Sequence, residues 1–268
     1  MKNKLASDKC RQNKKEANSK SCFFDFNKNV FLDFLITTTE KETINLMKKK
    51  FDLVQRLEYI KDACRGKKVL HLGCTNYPYT VEAIESNALL HIELEKIAAS
   101  VYGFDFDRKG IEILEKNGSK NLYQADLEKL EDVPLDETFD VIIAGEMIEH
   151  LDNPGMFMRG IKRFMNRETR LIITTINAYC GMRFWQYFLR GKNGANEPVH
   201  PDHVAYYSYS TLSLVIKREN LAIEDFLFYD VGREHRPHSR WYYKLANDIS
   251  VRLAPQTADG IIAVCRLA

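Results

Sequence analysis

From Lys68 onward the chain alternates short apolar runs with amphipathic stretches. Val69, Leu70 and Leu72 form the first run, which breaks at Gly73-Cys74-Thr75-Asn76. A buried strand entering a tight turn has this pattern. Tyr79–Ser100 has helical composition, with Val81, Ile84, Leu89, Leu90, Ile92, Leu94 and Ile97 apolar, and leads to a second strand, Val101–Asp105. A helix over Arg108–Lys116 follows, with Asp107 as its N-cap and a stop at Asn117-Gly118. Further strands are predicted over Asn121–Gln124, Thr138–Ala144 and Arg170–Thr175. The run Thr138–Ala144 is almost free of polar residues, as expected of a strand covered on both faces. This alternation predicts an α/β fold, a doubly wound parallel sheet with right-handed crossovers.

Thr39 with Glu42 reads as a capping box, and Met47, Phe51, Val54 and Leu57 follow at helical spacing up to Gly66. Beyond the fifth strand, 178–209 turns irregular and aromatic, a lid or substrate insertion. Ser210 or Thr211 caps a helix to Asn220, and strands follow at Ile223–Tyr229 and Gly260–Cys265. A second insertion near 231–255 joins them, with the basic, aromatic stretch Arg233–Trp241 and a helix near Tyr242–Val251.

Composition changes this picture little. At 268 residues, 45% hydrophobic and 28% charged, one domain over 39–268 with modest insertions is expected. The net charge of +2 conceals a basic segment: Met1–Lys20 sets seven Lys and Arg against Asp8 and Glu16. Residues 1–38 therefore read as a largely disordered or irregular tail, with a basic nucleic-acid arm as the alternative. The absence of a signal-peptide core or an apolar run of spanning length gives a cytoplasmic expectation. Six cysteines without a C-x-x-C pair argue against a disulfide framework or a zinc site.

Several residues carry candidate chemistry. Gly73 lets backbone approach a cofactor at the end of the first strand. Asp105, at the tip of the second strand, is placed to accept hydrogen bonds from a ribose diol. Asp126, with Leu127 beside it, faces an adenine amino group or is an ordinary loop carboxylate. Glu146, Glu149 and His150 at i, i+3, i+4 are expected on one helical face, and with His203 they make an oxygen-and-imidazole set for a divalent metal. The alternative is that helix-start glutamates simply favour the macrodipole. His150 and His203 are candidate general bases, or else a helix-start histidine satisfied by backbone and a loop residue pinning the insertion. Arg233, His235, Arg236, His238 and Arg240 either hold an anionic acceptor or form a solvated loop.

Together, VLHLGC (69–74), VYGFD (101–105), QADLEKL (124–130), FDVIIAGEMIEHLDNP (139–154) and LIITTIN (171–177) resemble the class I S-adenosylmethionine-dependent methyltransferases. The resemblance implies a Rossmann-like, seven-stranded sheet, mostly parallel with the last strand, Gly260–Cys265, antiparallel, and helices on both faces. It implies S-adenosylmethionine as cofactor, with Gly73 and Cys74 facing its methionine part, Asp105 its ribose, Asp126 and Leu127 its adenine, and Gly145-Glu146 closing the crevice. His71, Thr75 and Phe106 complete the expected cofactor-binding set. His71 stands where this family usually has an acidic residue, and Thr75 where it has a second glycine.

The implied reaction is methyl transfer to a hydroxyl of a small molecule or saccharide, with His150, His203 and Glu149 as the catalytic group. Leu90-His91, His200–Val204 and Tyr207–Ser210 resemble a bacterial branch linked to glycan or natural-product assembly. The Glu-x-x-Glu-His run also resembles ubiquinone-pathway O-methyltransferases and small-RNA 3′-terminal methyltransferases, where a metal engages the acceptor hydroxyls. An RNA 3′-end enzyme and a non-catalytic binding module are the alternatives. The near-balanced charge and lack of a recognised RNA-binding module argue against nucleic acid.

Overall fold

The computed structural model describes residues 53–190, 200, 202–230 and 240–268. The tail at 1–38, the Thr39–Glu42 capping box and most of the Arg233–Trp241 stretch lie outside the described residues. The strands are β1 (Leu53–Val54), β2 (Lys68–Leu72), β3 (Ser100–Asp105), β4 (Leu122–Gln124), β5 (Val141–Gly145), β6 (Arg170–Ile176), β7 (Leu221–Tyr229) and β8 (Gly260–Leu267). The helices are α1 (Arg56–Cys64), α2 (Thr80–Glu85), α3 (Leu90–Glu95), α4 (Arg108–Lys116), α5 (Pro154–Ile161), α6 (Gly181–Leu189), α7 (Tyr209–Arg218) and α8 (Trp241–Leu253).

The strands form one sheet in the order β1-β7-β8-β6-β5-β2-β3-β4. All pairings are parallel except those of β8, which runs antiparallel to both β6 and β7. The chain moves outward from β2 to β3 and β4, then returns to the other side of β2 to lay down β5. The crevice at the carboxyl ends of β2 and β5 is therefore the topological switch point, where such sheets bind ligands.

The period of two fixes the layers. Leu70, Leu72, Ile142, Ala144, Leu171 and Ile173 join a core with Phe157, Met158 and Ile161 of α5 and Leu212 and Ile216 of α7. Val69, Val141, Ile143 and Ile172 point the other way, into a core with Ile60 and Cys64 of α1 and Leu94 of α3. On this second face His71 occupies the place of an apolar residue. It is buried, its Nδ1 lies 3.3 Å from Nδ1 of buried His91, and the rings stack at 5.5 Å and 13°.

Several predicted elements differ. Leu53 and Val54 pair with Phe228 and Tyr229 as an edge strand, making eight strands where seven are expected. The helix read through Val54 thus begins only at Arg56. The Tyr79–Ser100 stretch is two short helices, because Asn87 adopts φ +54 and ends the first. Ser208, not Ser210 or Thr211, caps α7, its hydroxyl accepting from Thr211 N–H while Thr211 Oγ1 accepts from Ser208 N–H. The 178–209 segment holds a regular helix, α6.

Two predictions follow from the packing. Gly260 pairs with Tyr229 across β8 and β7, and a Cβ there would enter the Tyr229 ring. Gly260→Ala should lose about 1–3 kcal/mol in urea denaturation, whereas Gly155→Ala, with ordinary contacts at 3.4 and 3.5 Å, should be neutral or stabilising. Burial pushes His91 down to about 4 and, with the His91 and Arg56 charges, drives His71 well below the usual histidine value. The unfolded chain therefore binds more protons below pH 6.5, and stability present above that pH is lost as pH falls towards 4. His91→Phe should remove about 1.4 kcal/mol per pH unit of that slope. Equal slopes for both proteins between pH 6 and 4.5 would contradict this.

Candidate functional site

Gly73 leaves β2 with φ +71, and its N–H donates to the Phe104 carbonyl at 2.9 Å. The left-handed conformation requires glycine here. The turn is then locked by Asp105. Asp105 Oδ2 accepts from both Thr75 N–H and Thr75 Oγ1–H at 2.9 Å, and Oδ1 accepts from Asp107 N–H at 2.9 Å. Thr75 in place of the family glycine thus supplies an extra donor to the Asp105 carboxylate. A Cβ at Gly110 would stand 2.6 Å from Thr75 Cβ, so glycine at 110 makes room for the threonine. Asp107 caps α4 as predicted, accepting from Lys109 and Gly110 N–H.

Phe106 is exposed beyond the β3 tip and meets Tyr77 edge-on at 5.4 Å. The sequence reading did not include Tyr77 in the site. Asp126 is exposed, with Oδ1 accepting from Glu128 N–H at 3.0 Å and Oδ2 3.1 Å from Lys129 Nζ. Leu127 beside it is half-buried. Cys74 is fully buried against Gly103, so only its backbone is available to a ligand.

The stretch after β5 corrects the expectation of one helical face. Glu146 has φ +51, and only Ile148–His150 form a 3₁₀ turn. Thr174 and Thr175, adjacent on β6, point to opposite faces of the sheet. Thr174 Oγ1 donates to Glu146 Oε1 at 3.3 Å, whereas Thr175 Oγ1 donates to Glu149 Oε2 at 2.8 Å. The two glutamates are thereby drawn to different sides of β6. Glu146 also accepts the hydroxyl proton of buried Tyr229, and Arg56 stands 5.8 Å from that ring. Arg56 Nη1 would be 3.8 Å from a Cβ at Gly145, and no carboxylate among the described residues pairs with it. A lone arginine at a helix start carries no pattern that separates it from a solvated one, so sequence reasoning missed it.

Glu149, His150 and His203 do come together, offering ligand atoms within 4.8 Å of one another. Val204 N–H donates to the Glu149 carbonyl at 2.9 Å, which holds the His203 segment against the 3₁₀ turn. The His150 and His203 rings meet edge-on at 4.6 Å, with His200 5.1 Å from His203. His150 Nδ1 lies 3.1 Å from the Asp202 carbonyl, which can only accept, so Nδ1 carries the proton and Nε2 is left as a free acceptor. Burial and the Glu146 charge push Glu149 up to about 8, and burial with His150 and His200 lowers His203 to about 4. Glu149 Oε1 and His203 Nδ1 are buried without a hydrogen-bond partner among the described residues.

Known proteins share this frame. A family described as "Methyltransferase domain" matches residues 44–225. The ubiquinone biosynthesis O-methyltransferase of Pseudomonas aeruginosa is 25% identical over 207 residues, 72% of this chain and 78% of its own length. That of Bradyrhizobium diazoefficiens is 24% identical over 185 residues, covering 64% and 73%. Among solved structures, a SAM-dependent methyltransferase from Archaeoglobus fulgidus superposes with a TM-score of 0.52 at 16% identity, over 79% of this chain and 91% of its own. Magnesium protoporphyrin IX methyltransferase from Synechocystis PCC 6803, solved with bound SAH, gives 0.50 at 13% identity, over 80% and 82%. With its sheet order, its antiparallel β8 and a family match over residues 44–225, the chain belongs to the class I S-adenosylmethionine-dependent methyltransferases.

Proposed function

We propose that this enzyme methylates a hydroxyl group of a small molecule, with the acceptor held at Glu149, His150 and His203. The observation that carries the reading is the convergence of those three side chains beside the β5 end of the switch-point crevice. The O-methyltransferase names of the P. aeruginosa and B. diazoefficiens relatives support the same reaction class.

The cofactor lies across Gly73 and Gly145 in this reading. Asp105 accepts from the ribose diol through Oδ1, which has given only one of its lone pairs to Asp107. Tyr77 and Phe106 flank the ribose and adenine side with Asp126 and Leu127, and Arg56 beside Gly145 neutralises the cofactor's carboxylate. When bound, S-adenosylmethionine would supply an electrophilic methyl group on sulfur, available to the acceptor oxygen with the carbon–sulfur electron pair left on sulfur. His150 Nε2 takes the proton released by the hydroxyl, its tautomer fixed by the Asp202 carbonyl. Positioning supplies the remainder of the acceleration in such a displacement.

A divalent metal fits the same residues. The orphaned Glu149 Oε1 and His203 Nδ1, with the free Nε2 of His150, make a mixed oxygen and nitrogen set suited to such an ion. Glu149, His150 and His203 would hold it, and it would acidify the acceptor hydroxyl. Glu146, engaged by Tyr229 and Thr174, is left out of that set. A saccharide or anionic acceptor belongs to this reading as its narrower form, and the basic residues proposed for it lie largely outside the described residues.

Asp105→Ala should weaken S-adenosylhomocysteine binding about 10- to 100-fold by calorimetric titration, one charge-assisted hydrogen bond to the ribose being lost. Unchanged affinity in the folded variant would remove the crevice reading. With a catechol or sugar acceptor that turns over, a chelator should abolish activity and added magnesium, manganese or zinc restore it if Glu149, His150 and His203 hold a metal. Chelator-resistant activity that His150→Ala reduces at least 100-fold assigns the proton to the histidine alone. Activity insensitive to both treatments would overturn the acceptor site.

A further inference from the structure

Helices α6 and α8 carry an apolar surface that neither the core nor the reaction above uses. On α8 the residues turned inward are Asn247 and Val251, both buried, and Asn247 Nδ2 donates to Asp230 Oδ1 at 2.9 Å. The solvent side holds Trp241, Leu245, Ile249 and Leu253, a row at four-residue spacing along one face, with Trp241 72% and Leu253 81% exposed. An ordinary surface helix has the opposite polarity, apolar towards the sheet and polar towards water. Packing on the sheet therefore does not account for this row.

α6 extends the surface. The Trp185 indole N–H donates to Ser250 Oγ at 3.3 Å, and a Cβ at Gly181 would stand 2.8 Å from Ser250 Cβ, so the two helices lie in close contact. The Trp185 ring meets Phe184 at 5.4 Å and Phe188 at 5.9 Å, and those two phenylalanines are 60% and 65% exposed. Together with the α8 row they present on the order of 700 Å² of apolar surface, a size at which exposed patches serve as docking sites.

Charge and residue type decide what covers it. Over 181–190 and 240–253, Arg183, Arg190, Arg240, Lys244 and Arg252 stand against Asp248 alone. Arg183 is matched by Asp259 at 2.9 Å, and a basic excess remains. A second copy of the chain would set two such basic faces against each other, whereas an anionic surface complements them. Tryptophan, phenylalanine and leucine beside lysine and arginine suit the boundary between lipid headgroups and acyl chains. Helices of 9 and 13 residues can lie in that boundary and are too short to cross a bilayer. β6 and β7 both run antiparallel to β8, so α6 and α8, which follow them, start from the edge of the sheet that carries the crevice.

We propose that the α6–α8 face docks the protein peripherally on an anionic lipid bilayer, with the apolar row at the acyl boundary and Arg240, Lys244 and Arg252 among the headgroups. Docking of this kind does not depend on which residues hold the acceptor.

The two tryptophans of the chain, Trp185 and Trp241, both lie on these helices, so their fluorescence reads the docking directly. With vesicles of equal parts phosphatidylcholine and phosphatidylglycerol, the full chain should co-sediment, its emission should shift to the blue, and brominated acyl chains should quench it. Phosphatidylcholine alone should bind about tenfold less or weaker still, and added salt should weaken the anionic binding. Leu245→Gln with Ile249→Gln, both at exposed positions, should cut partition about tenfold or more. Lys244→Gln with Arg252→Gln should cut it about tenfold on the anionic vesicles, while Lys109→Gln with Lys116→Gln on α4 should change it by roughly twofold at most. No binding, equal partition into both kinds of vesicle, binding without an emission shift, or full binding by the Leu245 and Ile249 double variant would overturn the proposal. So would a lipid-free dimer that ignores vesicles and that the same double variant dissociates, since the face would then belong to a second copy.

Discussion

The central strands of this sheet send alternate side chains into two separate apolar layers, and that constraint decides where polar chemistry can occur. Inside the layers a polar group must find a partner, because an unmatched one costs about 1–3 kcal/mol. At the carboxyl ends of β2, β3 and β5 the backbone leaves the sheet and the constraint relaxes. Gly73, Asp105 and Gly145 gather there, and the side chains one residue further are sorted by the face from which they started. The separation of Glu146 from Glu149 follows directly. Each is captured by a threonine of β6, and adjacent threonines face opposite layers. Glu146 joins Tyr229 near Arg56, while Glu149 joins His150 and His203.

The hydrophobic pattern from Lys68 to Thr175 made the central strands legible, since fully buried parallel strands leave unbroken apolar runs. Asp107 as a cap and β8 as the antiparallel strand were equally plain, the first from local hydrogen-bonding chemistry and the second from family likeness. Failures lie where tertiary pairing overrides local preference. Leu53-Val54 reads as helix on spacing alone, yet two residues become a strand because β7 offers an open edge. The i, i+3, i+4 spacing of Glu146, Glu149 and His150 implied a helix, but Glu146 in the left-handed region breaks it before it starts. Arg56, Tyr77 and Tyr229 were invisible, because each becomes part of a site only through neighbours distant in sequence.

The departures from the family pattern at residues 71 and 75 have structural partners. Thr75 donates twice to Asp105 and is accommodated by Gly110. His71 stacks on His91, and Gly103 clears room for the His91 ring. One glycine clears space for Thr75 and another for the ring that stacks on His71, so neither side chain crowds the crevice.

The most direct check of this account is an amide chemical-shift map of the protein titrated with S-adenosylhomocysteine. Binding across the switch point predicts the largest shifts at Gly73, Phe106, Leu127 and Gly145, with Gly118 and Asn121 at the opposite end of the sheet unmoved. Largest shifts at that opposite end, or none at Gly73 and Phe106 under saturation, would contradict it.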